Sequence, residues 1–252
     1  MRTIIFAHGM YMTGKSWDRW ASFFEEKGYR TITPSWPGRE GHPSQLRAHP
    51  PKRLSQLTLS EVLDMYRECI EACDTLPIII GHSMGGLIAQ LLLQEKVVQA
   101  AVAINSAPPQ GVMSFSWSFL RSNIGVFFPG NKPIKPTKKQ WRYAFAHTLP
   151  SEDVNAAYQN YVVPESRLVG KESTTAVAKI NFLQQRPPLL MVAGELDHII
   201  PASLNRKNYK KYLQGPSKTD YLEFKDRTHW ICMMDGWQEV AQSVADWLEE
   251  NT

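Results

Sequence analysis

At residues 77–80 the chain reads Pro-Ile-Ile-Ile and runs without a polar break into Gly81-His82-Ser83-Met84-Gly85-Gly86. Side chains of a strand alternate between the two faces of a sheet, so a run that is apolar throughout belongs inside a sheet covered on both faces. Residues 85–94 carry the composition of a helix, which means that strand passes into helix through a turn framed by glycines. Such a junction demands a parallel sheet with helices packed on it.

The rest of the chain keeps that rhythm. Strands are expected at residues 4–7, 29–33, 77–80, 100–104, 189–193 and 219–224. Helices are expected at 16–27, 55–73, 85–94, 175–185, 202–213 and 238–249. In the first, Trp17, Trp20, Phe23 and Phe24 share one face and Gly28 supplies the C-terminal cap. In the second, Leu59, Val62, Leu63, Tyr66 and Ile70 are spaced for burial. Residues 35–51, rich in Pro, Gly and His, read as a loop. Past Ser106 the alternation stops, and residues 107–175 are crowded with aromatics and prolines. The expected organisation is one α/β domain, formed by 1–106 and 176–252, with 107–175 inserted as a cap or lid of about 65 residues.

Composition narrows the setting. A chain of 252 residues holds one fairly large domain, and no apolar run approaches the roughly 20 residues needed to span a bilayer. The apolar run at 4–7 is too short for a signal-peptide core, so the chain is expected to stay in the cytoplasm. Its three cysteines cannot all pair, and none forms a Cys-x-x-Cys with a histidine partner, which fits a reducing compartment and gives no zinc site. The net charge of +4 is modest. Basic residues gather at 132–139 and 206–211 without aromatic interleaving and read as solvated faces; no nucleic-acid role is expected.

Ser83 is the candidate nucleophile. A serine on a sharp strand-to-helix turn projects its hydroxyl above the sheet, while Gly81, Gly85 and Gly86 let strand and helix approach. A hydroxyl needs a base. Of seven histidines, His229 lies just past the last strand, on a loop at the carboxyl edge that also carries Ser83. His8 also ends a strand, but its neighbour Gly9 suggests a backbone role; His82 should point away from substrate. The carboxylate that orients His229 is Asp197, after the strand at 189–193, with Glu195 as its rival two residues earlier. The oxyanion needs two backbone donors, assigned to the N–H of Met84 and that of Met10, with Tyr11 as the alternative to Met10.

Phe6-Ala7-His8-Gly9-Met10, Gly81-His82-Ser83-Met84-Gly85-Gly86, Gly194-Glu195-Leu196-Asp197 and Thr228-His229-Trp230 together resemble the α/β-hydrolase superfamily over nearly the whole chain, in its branch of small capped esterases, lactonases and haloperoxidase-like enzymes. The resemblance implies a sheet with helices on both faces, a cap after the strand ending near Ser106, and chemistry without a metal or organic cofactor. Two departures stand out. The chain begins directly on the strand that carries His-Gly, without the usual antiparallel hairpin, so roughly six strands, all parallel, are expected. The longer glycine run after His-Gly found in hormone-sensitive-lipase-like esterases is missing.

The partner is expected to be a small molecule, a mostly uncharged apolar ester, thioester or lactone. Tyr11, Trp36, Phe115, Trp117, Trp141 and Trp230 are the candidate walls of its pocket. The stretch 113–128 also has the composition of a membrane-surface contact, interrupted by Arg121, Ser122 and Asn123. The same three side chains serve lyase, perhydrolase and carbon–carbon hydrolase chemistry, and a non-catalytic ligand receptor is a further alternative.

Overall fold

The computed structural model describes residues 1–114 and 116–252. Six strands, β1 (Thr3–Ala7), β2 (Arg30–Ile32), β3 (Ile78–His82), β4 (Ala100–Ile104), β5 (Leu189–Gly194) and β6 (Thr219–Phe224), form one sheet. Their order is β2-β1-β3-β4-β5-β6, and every neighbouring pair is parallel. β3 is central, with Ile79 paired to Ile5 on one side and to Ala101 on the other.

The uninterrupted apolar runs follow from that position. Ile5, Ile79, Ala101, Leu189 and Met191 face one core, beneath α3 (Leu59–Glu71), α4 (Met84–Gln94) and α9 (Ala202–Tyr212). Ile4, Phe6, Ile78, Ile80, Val102 and Val192 face the other, beneath α1 (Asp18–Glu26) and α10 (Trp237–Asn251). Trp20 and Phe24 of α1 are wholly buried there; each such side chain contributes about 1.5–3 kcal/mol of transfer free energy. Gly28 follows α1 with φ 84° and donates to the Glu25 carbonyl, closing the helix as a left-handed C-terminal glycine does.

Local chemistry moves several expected boundaries. α3 begins at Leu59 rather than near 55, because Thr58 and Glu61 form a reciprocal capping box at its start. The loop at 35–51 contains a short helix, α2 (Pro43–Ala48), with Pro43 in its first turn and the His42 ring accepting from the Ser44 amide. The helix expected at 175–185 is only a 3₁₀ turn at Ala176–Ala178. Beyond it the Asn181 side chain takes the Leu183 amide and Gln94 binds the Asn181 amide, so side chains replace the helical ladder.

Between β4 and β5 the chain forms α5 (Trp117–Phe127), α6 (Lys138–Phe145), α7 (Ser151–Tyr161) and α8 (Arg167–Glu172). Among the described residues no helix is long and apolar enough to cross a membrane.

Candidate active site

Ser83 occupies the turn between β3 and α4 with φ 58° and ψ −120°, a backbone state that side-chain-bearing residues rarely adopt. Glycines make the turn possible. A Cβ on Gly81 would fall 2.0 Å from the Gly85 carbonyl oxygen, and one on Gly85 would fall 1.9 Å from the Ala7 carbonyl oxygen of β1. The Ser83 amide donates to Ile104 of β4 (2.9 Å) and its carbonyl accepts from Ala107 (2.9 Å), which pins the strained residue from two sides.

His229 and Asp197 meet across the carboxyl edge. His229 Nδ1 lies 2.6 Å from Asp197 Oδ2, with both side chains fully buried. The second carboxylate oxygen accepts from the Ile199 and Ile200 amides at 2.7 and 2.9 Å, so the carboxylate is oriented before the imidazole meets it. Among the described residues His229 Nε2 has no hydrogen-bond partner, and the link from the Ser83 hydroxyl to the imidazole is open in this conformation. Glu195 instead accepts from the exposed Asp226 amide, away from His229. His82 donates from Nε2 to the His229 carbonyl (2.9 Å), with its ring 4.6 Å from that of His229. Burial, then the neighbouring His229, holds its pKa well below the usual histidine range.

The loop after β1 passes directly beside the hydroxyl: a Cβ on Gly9 would sit 3.3 Å from Ser83 Oγ. His8 binds within this loop, Nδ1 lying 2.8 Å from the Gly9 carbonyl while Nε2 accepts from the Trp36 amide (3.2 Å). Burial, reinforced by Arg39, pushes its pKa far down and keeps the ring neutral, as that bonding requires. The next residue but two, Tyr11, has φ 67°. Its amide donates to Glu165 Oε2 (3.1 Å) and its carbonyl accepts from Val163 (2.9 Å). The Tyr11 N–H is therefore taken up by a carboxylate.

Three positioning residues escaped the sequence reading. Glu165 forms an ion pair with Arg39, both side chains fully buried, and Arg39 also donates to the Met12 carbonyl (2.6 Å) while lying over the Trp36 ring. The loop 10–12 is therefore held from both ends by one buried pair. Asn105, with φ 42°, accepts from the Gly194 amide (2.7 Å) and donates to the Thr228 carbonyl (3.2 Å), tying the loop of Asp197 to that of His229. An asparagine directly after an apolar strand, tolerant of positive φ, was the one signal available for it.

A chamber of about 840 Å³ reaches Ser83 and is lined by Met10, Tyr11, Met84, Phe145 and Ile200, with Arg121, Lys135, Lys139 and Arg167 farther out. A second cavity of about 370 Å³ adjoins it across Met10, Met84, Ala107 and Val126 and is walled mainly by apolar groups of 107–114 and α5. Of the expected pocket residues, Tyr11 lines the chamber. Trp36 is instead wholly buried, stacked on His8, and supports the β1 loop from behind. Trp141 is also buried, packed on Phe145 and Trp230, while Trp230 borders a small crevice behind His229. Trp117 points outward. Phe115 lies outside the described residues. Among those residues no group of three or more His, Cys, Asp or Glu could hold a metal ion.

A family model for the alpha/beta hydrolase family matches residues 4–243. Solved structures with the same fold include a monoacylglycerol lipase of Paleococcus ferrophilus (19% identity, 99% of this chain and 95% of that one, TM-score 0.72). A pyrethroid hydrolase of Sphingobium faniae (17%, 98% and 97%, TM-score 0.71) and a methylesterase of Arabidopsis (11%, 99% and 99%, TM-score 0.72) share it as well. No curated protein sequence matches this one significantly. With its family model spanning nearly the whole chain and its six parallel strands covered on both faces, this chain belongs to the alpha/beta hydrolase family.

Proposed function

We propose that the protein hydrolyses a carboxylic ester, thioester or lactone through an acyl-enzyme on Ser83. The observation that carries this reading is the Asp197–His229 pair, whose 2.6 Å contact at Nδ1 leaves Nε2 as the free basic nitrogen on the same edge as the strained serine. In the first half-reaction the Ser83 oxygen bonds to the acyl carbon as its proton passes to His229 Nε2. The oxyanion is received by the Met84 and Met10 amides, and the alcohol or thiol leaves with the proton from His229. Water then repeats the sequence on the acyl-enzyme, with His229 as base, and releases the acid. Asp197 orients the imidazole and stabilises its cation throughout.

The 370 Å³ cavity suits an apolar acyl portion, because its walls offer Met10, Met84, Val112, Phe119 and Val126 and no charged side chain. Residues 107–175 act in this reading as the cap that shapes both cavities. The lipase and esterases of the same fold are consistent with ester chemistry. Ser83→Ala and His229→Ala should each lower kcat for a short-chain p-nitrophenyl ester by about 10⁶ at the upper limit set by other serine hydrolases. Ser83→Ala should also abolish labelling by a fluorophosphonate. Unchanged turnover in Ser83→Ala would refute the mechanism, and a panel of acyl chain lengths would define the substrate.

A further inference from the structure

We propose that the outer face of α5 is a docking surface for an anionic lipid bilayer. Trp117, Leu120 and Ile124 recur at the three-to-four-residue spacing that stacks side chains on one face of a helix, and all three are exposed, Trp117 at 73% and Ile124 at 59%. Met113 and Phe128 extend the exposed apolar strip beyond both ends of the helix. An apolar strip of this kind on the outside of a domain marks a contact surface.

The charge around it selects the partner. From 96 to 151 the chain contains no Asp or Glu, yet it carries Arg121, Lys132, Lys135, Lys138, Lys139 and Arg142 around α5 and α6. Arg167 and Lys171 of α8 add to this group, donating to the carbonyls of Gly125 and Gly130 at and just past the end of α5. Among the described residues none of these cations is paired with a carboxylate. A second copy of the chain would set these cations against their own kind. An anionic bilayer satisfies both features at once, taking the aromatic and aliphatic side chains into the headgroup boundary while the cations meet the phosphates. The strip runs along the mouths of the cavities: Met113 and Leu120 also border the apolar cavity that Phe119 and Val126 wall, and Ile124 and Phe128 border the larger chamber, so docking places the cavities beside the lipid.

The test is co-sedimentation of the full chain with vesicles of phosphatidylcholine alone and of equal phosphatidylcholine and phosphatidylglycerol. Binding is expected on the anionic vesicles and should weaken with salt. Trp117→Ser should lower partitioning by about tenfold or more. Lys135→Gln with Lys139→Gln should lower it about 25-fold, at about fivefold for each cation. Thermal melts of these variants should match the parent, because the substituted side chains are exposed. The proposal is overturned by no binding to anionic vesicles, by equal binding to both compositions, or by binding that both variants leave undiminished. Self-association that Trp117→Ser abolishes, or retention on poly-glutamate in place of vesicles, would assign the face to a protein and overturn it too.

Discussion

Glu165→Gln probes the buried pair that holds the loop beside Ser83. In the parent, Glu165 meets Arg39 with both side chains fully buried and accepts the Tyr11 and Ser166 amides at 3.1 and 2.6 Å. The substitution leaves the Arg39 charge buried without its counter-charge, which costs about 3–5 kcal/mol. At about 2–4 °C per kcal/mol for a domain of this size, Tm should fall by about 6–20 °C. Loss of a full oxyanion donor lowers kcat by about 10²–10³, and a loosened Met10 amide should give part of that, about tenfold to a hundredfold with KM less affected. The discriminating variant is Arg39→Met with Glu165→Leu. An apolar pair removes the uncompensated charge, so Tm should recover in part, short of the parent because the Tyr11 and Ser166 amides and the Met12 carbonyl lose their partners, whereas kcat should stay low because the Tyr11 amide lacks an acceptor. Circular-dichroism melts and steady-state hydrolysis of a short-chain ester measure the two effects. Full recovery of kcat along with Tm in the double variant would refute the positioning role.

Asn105→Ala strips partners from the buried Gly194 amide and Thr228 carbonyl and should lower stability by about 2–4 kcal/mol, with a parallel loss of turnover as the loops of Asp197 and His229 come untied; a melt within a degree or two of the parent would contradict this. Gly85→Ala drives a Cβ into the Ala7 carbonyl, a backbone atom that cannot swing aside, and should cost about 3 kcal/mol or prevent soluble expression. His8 and His82 are held well below the ordinary value of 6.5 by burial, so above that pH both folded and unfolded chains carry them neutral. Below it the unfolded chain binds protons that the fold refuses, and stability should fall by up to about 1.4 kcal/mol per pH unit for each ring. Melts between about pH 7 and pH 5 should show this slope, shallower in His82→Asn; a flat profile would rule it out.

Much of the fold was legible because its signals are short-range. A strand apolar on both faces, as at Ile78, Ile79 and Ile80, has only the interior of a covered sheet to occupy, and the four inner strands could be placed on that reasoning, whereas the edge strands β2 and β6 mix polar and apolar residues. Gly81 and Gly85 announced the turn at Ser83 because its geometry excludes a Cβ within a few residues of chain. His229 and Asp197 were reachable from their positions after consecutive strands of a parallel sheet. Other features depend on atoms that meet only after folding. That Asp197 rather than Glu195 faces His229, that the Tyr11 amide goes to Glu165 154 positions away, and that Asn105 bridges two loops are facts of long-range registry. The aromatic residues of the inserted segment make the division plainest. Trp141 is wholly buried and Trp117 lies 73% exposed, although Trp141 sits on the more polar of the two short helices. Residue type determines how much apolar area a side chain carries, but only the packing of the surrounding helices decides whether that area is withdrawn from water or presented to it.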